Sequence, residues 1–314
     1  MKYILTLIVC ISATFCLQAQ QETQSTFFMY NQALYNPGSV GSKGYASVNA
    51  FYRHQWLGFD GAPISQTATF DAPLVGDRVG IGFNVRRFTV GINTDWRAAM
   101  AYSYKMQLTP DAALRFGIQG SVHYTGMNFN GSGVVVDKNN DQSFMNGEFM
   151  QKYTGNVGAG LYFNYKNTLW AGISTPAFYP VTLGSNNNTL ETAVETPHYY
   201  ASFGGLLDVS ENIQLKPSLL VKYLTNAPVD VDVNVSLIFK RALMIGAAYR
   251  LGGDNSGDSV DALVGYQLLH NLMMGVAYDL TISGLKDHNS GSVEVMLRYD
   301  VKSEKADLEN PRFF

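Results

Sequence analysis

Cysteine is nearly absent. The 314 residues contain two, Cys10 and Cys16, and both fall in a stretch that reads as a secretory leader. Lys2 supplies its positive end, residues 3–17 its apolar run, and Ala19 a small residue ahead of cleavage at Gln20. The processed chain then has no thiol, which excludes disulfides, cysteine-bound metals and thiol chemistry. Bulky Phe15 sits where a lipidated cysteine needs a small neighbour, so a lipoprotein reading of Cys16 is set aside. Charge is also sparse. Asp, Glu, Lys and Arg make up 15% and the formal net charge is -3, about -4 once Lys2 is removed, which gives no basis for a nucleic-acid partner. After the leader no run of about 18 apolar residues occurs, excluding a helical membrane span. The five histidines, His54, His123, His198, His270 and His288, lie in no HExxH or GxSxG pattern. No enzyme activity and no cofactor are assigned on these grounds.

What the chain does contain is glycine and aromatic residues: 30 Gly, 19 Tyr and 18 Phe, a composition suited to extended structure at an apolar boundary. Period-two alternation runs through it. Leu114, Phe116, Ile118, Val122 and Tyr124 alternate with Arg115, Gln119, Ser121 and His123; Val229, Val231, Val233, Val235, Leu237 and Phe239 alternate with Asp230, Asp232, Asn234, Ser236 and Lys240. Val293, Val295, Leu297 and Tyr299 alternate with Glu294, Met296, Arg298 and Asp300. A helix would scatter these sets, whereas a barrel wall sends one to lipid and the other to the lumen. The pattern predicts about fourteen strands at 45–56, 64–74, 78–88, 94–108, 112–127, 154–165, 168–175, 197–209, 212–224, 229–240, 242–251, 259–269, 271–282 and 291–301. Tight turns at Gly76-Asp77, Pro110-Asp111, Lys166-Asn167, Ser210-Glu211, Arg241 and His270 alternate with longer connections. Short turns face the periplasm in outer-membrane barrels, so both termini are expected there. A soluble sandwich of two packed sheets is the competing fold; Trp96, Trp170 and Tyr299 near strand ends would suit interfacial girdles.

The fold class is therefore all-β: a single transmembrane antiparallel β-barrel of about fourteen strands with an N-terminal plug. The divisions are a leader at 1–19, a plug at 20–43, the barrel at 44–301 and a periplasmic tail at 302–314. The plug is inferred because Phe28, Tyr30 and Tyr35 lie outside the strand pattern and need shelter from water, which the lumen offers.

Two segments are more specific than generic wall: FMYNQALYNPGSVGS at 28–42 and YRHQWLGFDGAPISQTATFDAP at 52–73, with NPRFF closing the chain. They resemble the PorP/SprF family of type IX secretion system membrane proteins, found in Bacteroidetes. The resemblance implies an outer-membrane barrel that works with secretion machinery to export, anchor or display a large cell-surface adhesin, used in gliding or attachment. The partners it implies are that secreted protein, other secretion components, periplasmic anchors and outer-membrane lipid. Residues assigned to the plug or to partner binding are Tyr30, Asn31, Asn36, Pro37, Tyr52, Arg53, Gln55, Trp56, Gly58, Asp60, Gly61 and Pro63. The alternative function is a porin or substrate-specific transporter in which the N-terminal segment acts as a hatch.

His123 near Ser121 is the best candidate for a hydrolytic pair, though a polar lumen brings such neighbours together by default. Asp137, Asn139, Asp141 and Glu148 fall at calcium-loop spacing, but Gln142 stands where the loop needs Gly. Arg86 and Arg87, at the outer end of the third strand, could meet lipid phosphates.

Overall fold

The computed structural model describes residues 24–127, 150–182, 194–225, 227–252 and 257–301. The leader, the calcium-loop candidates Asp137, Asn139, Asp141 and Glu148, and the 302–314 tail lie outside the described residues. Fourteen wall strands follow one another: β1 Ala46–His54, β2 Ile64–Leu74, β3 Val79–Val90, β4 Asn93–Thr109, β5 Ala112–Met127, β6 Met150–Tyr165 and β7 Leu169–Thr175. β8 is His198–Gly205, continued after a break at Leu206 by Leu207–Ser210; then come β9 Ile213–Leu224, β10 Asp230–Phe239, β11 Leu243–Leu251, β12 Ser259–Leu269, β13 Leu272–Thr281 and β14 Ser292–Val301. Every neighbouring pair is antiparallel, and β1 pairs with β14 from Ala46↔Val301 to His54↔Val293. That pairing, with β7–β8 and β8–β9, closes the sheet, so the barrel has no free edge. A sandwich is excluded by this closure.

The alternation in the sequence is the alternation in the wall. Along β10, Asp232, Asn234 and Ser236 are buried while Val233, Val235 and Leu237 are exposed. An apolar outer face of this kind suits lipid. Val233→Arg is accordingly expected to cost roughly 2–4 kcal/mol, since Val233 lies mid-strand where an outward charge meets hydrocarbon. Urea unfolding in lipid vesicles, with Val233→Leu as control, checks it; equal stabilities would contradict the register.

Short turns also fall where expected. Lys166-Asn167 and Lys240-Arg241 each have both central residues at φ near +50°, the two-residue turn whose twist matches antiparallel strands. One connection departs from expectation. The β3–β4 link, read as a longer loop, is only Gly91-Ile92: both strands run on past the predicted ends, and Gly91 at φ 55° supplies the left-handed residue a tight reversal needs.

The lumen departs more. A water-filled channel would carry polar inner faces, yet Leu220, Ile238, Met244, Leu263, Met273 and Met296 all point inward and are at most 2% exposed. They pack against Phe27, Phe28, Met29 and Tyr30 of the N-terminal segment in one hydrophobic cluster. Full burial of such side chains contributes about 1.5–3 kcal/mol each. The segment folds as two 3₁₀ turns, Phe28–Tyr30 and Pro37–Ser39, around one helical turn, α1, Gln32–Tyr35.

Candidate functional site

Each end of this N-terminal segment is held by polar groups of the wall. At the end with the long loops, a ring of charges from seven strands receives residues 24–26. Arg53 on β1 and Glu294 on β14 are direct cross-strand partners, 3.2 Å apart, and Arg53 also meets Asp279 at 2.6 Å. Asp232 on β10 lies opposite Arg250 on β11 at 2.7 Å, and Lys222 approaches the same carboxylate at 2.6 Å. Asp261 and Asp279 are directly opposite like charges; Arg250 lies 3.9 and 3.5 Å from them and offsets a repulsion that would otherwise be costly. Burial of these groups demands such pairing, because an isolated buried charge is strongly unfavourable.

The segment completes the ring. Ser25 Oγ donates to Glu294 Oε1 at 2.6 Å and the Thr26 amide to Oε2 at 2.6 Å. The Thr26 hydroxyl donates to Asp279 at 2.9 Å and accepts from Arg53 Nη1 at 3.0 Å. Gln24 Oε1 accepts from Gln55 and Arg250, both at 3.2 Å.

Mid-lumen, Lys216 Nζ stands 4.1 Å over the Tyr30 ring and the Arg298 guanidinium 5.7 Å from it, cation–π contacts strengthened by the dry surroundings. The Tyr30 hydroxyl points at Met244 Sδ, 3.0 Å away. Arg298 bonds Asp300 at 2.8 Å and the Tyr45 hydroxyl at 2.6 Å. Burial pushes the Tyr45 phenol up to about 12, with Arg298 pulling the other way.

At the short-turn end the backbone of residues 36–41 lies directly on the wall. Asn36 Nδ2 donates to the Leu161 carbonyl at 2.9 Å while its Oδ1 accepts from Gly38 N at 2.8 Å. Ser174 donates to the Tyr35 carbonyl, Ser103 to that of Val40 and Arg115 to that of Gly41. Wall glycines make this approach possible: a Cβ on Gly117 would land on the Pro37 backbone, and one on Gly160 on Asn36 Oδ1.

Above the charge ring the long loops form a cup of about 420 Å³, with Gln24, Arg53, Gln55 and Arg250 at its floor and Trp56, Pro63, Phe88 and Leu285 around it. The loop after β1 is fixed rather than trailing. Gln55 N bonds the Pro63 carbonyl, Leu57 exchanges backbone bonds with Gly291 and Ser290, and Gly91 N bonds Gly61 O. Trp56 sits at φ 48°, an unusual conformation for a bulky residue, held by this bonding.

Residues 17–299 match the family model described as "Type IX secretion system membrane protein PorP/SprF". The chain belongs to the PorP/SprF family. No curated protein matches. Among solved structures, an outer membrane protein of Acinetobacter baumannii, Omp33, is similar at 7% identity and TM-score 0.48, over 82% of this chain and 98% of that one. A TodX deletion mutant, a monoaromatic hydrocarbon channel, is similar at 8% and 0.49 over 88% and 94%, and the KdgM porin at 10% and 0.39 over 82% and 99%. The barrel itself is established by its strand pairing.

In this PorP/SprF barrel the residues singled out from sequence divide into three groups. Tyr30, Asn31, Asn36 and Pro37 are buried on the N-terminal segment, and Arg53 and Gln55 meet its leading end. Trp56 and Pro63 line the cup, while Gly58, Asp60 and Gly61 are exposed on the loop between them. Tyr52 joins neither: one residue out of phase with Arg53, it stands 41% exposed on the outer face. Arg86 and Arg87 also part company, as adjacent strand residues must. Arg87 faces outward with Trp96, 5.8 Å from its ring, whereas Arg86 turns toward Asp95, which meets His123 at 3.5 Å. His123 contacts Asp95 and Thr125 through one ring nitrogen, Nε2, whereas a hydrolytic triad uses one imidazole nitrogen for the hydroxyl and the other for the carboxylate. Lys216, Arg250, Asp261 and Asp279 were not singled out; the available signal was a charged residue at a lumen-phase position inside an otherwise apolar strand.

Proposed function

We propose that this outer-membrane barrel serves type IX secretion as a holding module, retaining a large secreted surface protein at its long-loop mouth while residues 20–43 plug the lumen. The observation that carries the reading is the filled lumen: an apolar inner face matched to Phe27, Phe28 and Tyr30, with polar clamps above and below, is a poor conduit for solutes and a rigid base for a docking surface. Phe59, 52% exposed on a braced loop, gives that surface an aromatic anchor of the kind that concentrates binding energy. Family membership supports work with other secretion components. On this reading the 302–314 tail faces the periplasm, where it would meet periplasmic anchors.

A second reading, a transporter with a hatch, draws on the cup: about 420 Å³ with mixed polar and apolar lining falls in the range of small-molecule sites. Planar-bilayer recording separates the two. The intact protein is expected to stay closed, and deletion of residues 21–43 to produce a folded barrel of much higher conductance. Steady conductance from the intact protein would favour the transporter; an unchanged deletion mutant would remove the plug.

A further inference from the structure

The cup at the long-loop mouth combines two kinds of side chain that together call for one kind of ligand. Trp56, Pro63, Phe88, Val90 and Leu285 give it apolar walls, while Gln24, Gln55, Ser259, Thr281 and Ser283 give it neutral hydrogen-bonding groups. Its charges cancel. Among the described lining residues Arg53 and Arg250 are the cations and Asp258 and Asp279 the carboxylates, and Asp279 lies 2.6 Å from Arg53 and 3.5 Å from Arg250. Neither an anion such as a phosphate nor a cation finds an excess of opposite charge there. A hydrocarbon fits no better, because it would strip water from the polar floor without replacing the lost hydrogen bonds. A peptide finds no strand edge to extend, since the wall is closed by the β1–β14 pairing. The floor has bonding capacity to spare. Gln55 Nε2 donates to Gln24 Oε1 at 3.2 Å, leaving Gln55 Oε1 as an acceptor and Gln24 Nε2 as a donor with no protein partner among the described residues.

We propose that the cup binds the neutral end of a glycan chain, with the C–H face of a sugar ring on Trp56 and its hydroxyls on the Gln24–Gln55 pair. A sugar satisfies both kinds of lining: its C–H groups suit the electron-rich face of an aromatic ring, and its hydroxyls both donate and accept. The site is built in advance, because the Trp56 amide donates to Ser292 Oγ at 3.2 Å and Leu57 exchanges backbone bonds with Gly291 and Ser290. A ligand there has no onward path. Ser25 and Thr26 close the floor on the charge ring, and Phe27 and Phe28 fill the lumen beneath. The sugar is held rather than passed, which suits a glycan carried on a larger molecule. That this molecule is the retained surface protein rests on the function proposed above.

The tryptophans make the site readable: Trp56 lines the cup, Trp96 faces outward and Trp170 is buried. The whole purified protein in nanodiscs is screened on an array of neutral and anionic oligosaccharides with peptides spotted beside them, and the binders are titrated by tryptophan fluorescence. Binding of neutral glycans is expected, with a fluorescence change that Trp56→Phe abolishes while array binding persists. Trp56→Ala is expected to weaken binding about tenfold or more. If Trp56→Ala does not fold, the Trp56→Phe result decides alone. No glycan binding, a preference for anionic glycans or for peptides, or a fluorescence change that survives in Trp56→Phe overturns the proposal. The bound oligosaccharide is then added to intact cells. Release of the surface protein into the medium supports the glycan's place on that protein, and retention overturns that placement while the cup remains a sugar site. Normal display of the surface protein in a strain lacking this barrel would remove the holding function and leave neutral-glycan binding by the purified protein standing.

Discussion

Replacing Glu294 with alanine is expected to destabilise the barrel by about 3 kcal/mol, the lower end of the range for breaking a buried ion pair. Glu294 is 1% exposed and accepts from Ser25, the Thr26 amide and Arg53, so its loss strands three donors together. Asp279 still holds Arg53 at 2.6 Å, which keeps the cost from the top of that range. Ser25→Ala removes only one of those donors and is expected to cost about 1 kcal/mol. Urea unfolding in lipid vesicles measures both. Equal effects of Glu294→Ala and Ser25→Ala would mean that the ring does not depend on Glu294.

These contacts explain what could be read from the sequence and what could not. The wall was legible because alternation is local: Val233 and Asn234 declare opposite faces through neighbours two residues away. Strand ends mostly followed, since turns such as Lys166-Asn167 mark themselves. The lumen was harder, because an inward Met296 looks like an outward one until something packs on it. The alternation set polar Glu294 and Arg298 inside with Met296, but nothing local tells whether such a residue faces water or Phe27. The clamp is more remote still: Ser25 finds Glu294 269 residues away and Thr26 finds Asp279 253 away, contacts that only barrel closure creates. Even the N-terminal block, recognisable as something other than wall, gave no sign of its direction through the barrel, which is fixed by where those distant partners stand. Tyr52 and Arg86 part from their neighbours Arg53 and Arg87 for a simpler reason: strand geometry divides adjacent residues between two faces.

The largest expected effect is on the cell. Removing this protein should abolish display of one large surface protein while general secretion continues, because a holding module acts on its client and not on the machinery at large. On the proposed reading the binding surface is the cup and the loop after β1, where Trp56 lines the cavity and Asp60 stands exposed on a loop braced to residues 290 and 291. Few residues carry most of an interface's energy, and an aromatic anchor is worth 2 kcal/mol or more, about a thirtyfold change in affinity. Trp56→Ala combined with Asp60→Ala should therefore lower client retention by at least about that factor. The double variant leaves the charge ring and the mid-lumen cluster untouched, so the barrel should still reach the outer membrane in normal amount. Surface proteomics and co-purification from a deletion strain complemented with either form make the comparison, with barrel abundance as the internal control. Loss of both client and barrel would show a folding defect, which Trp56→Phe then separates from a binding one by keeping an aromatic ring in the cup. Normal display in the deletion strain, accompanied by reduced uptake of small solutes, would replace the holding module with the transporter.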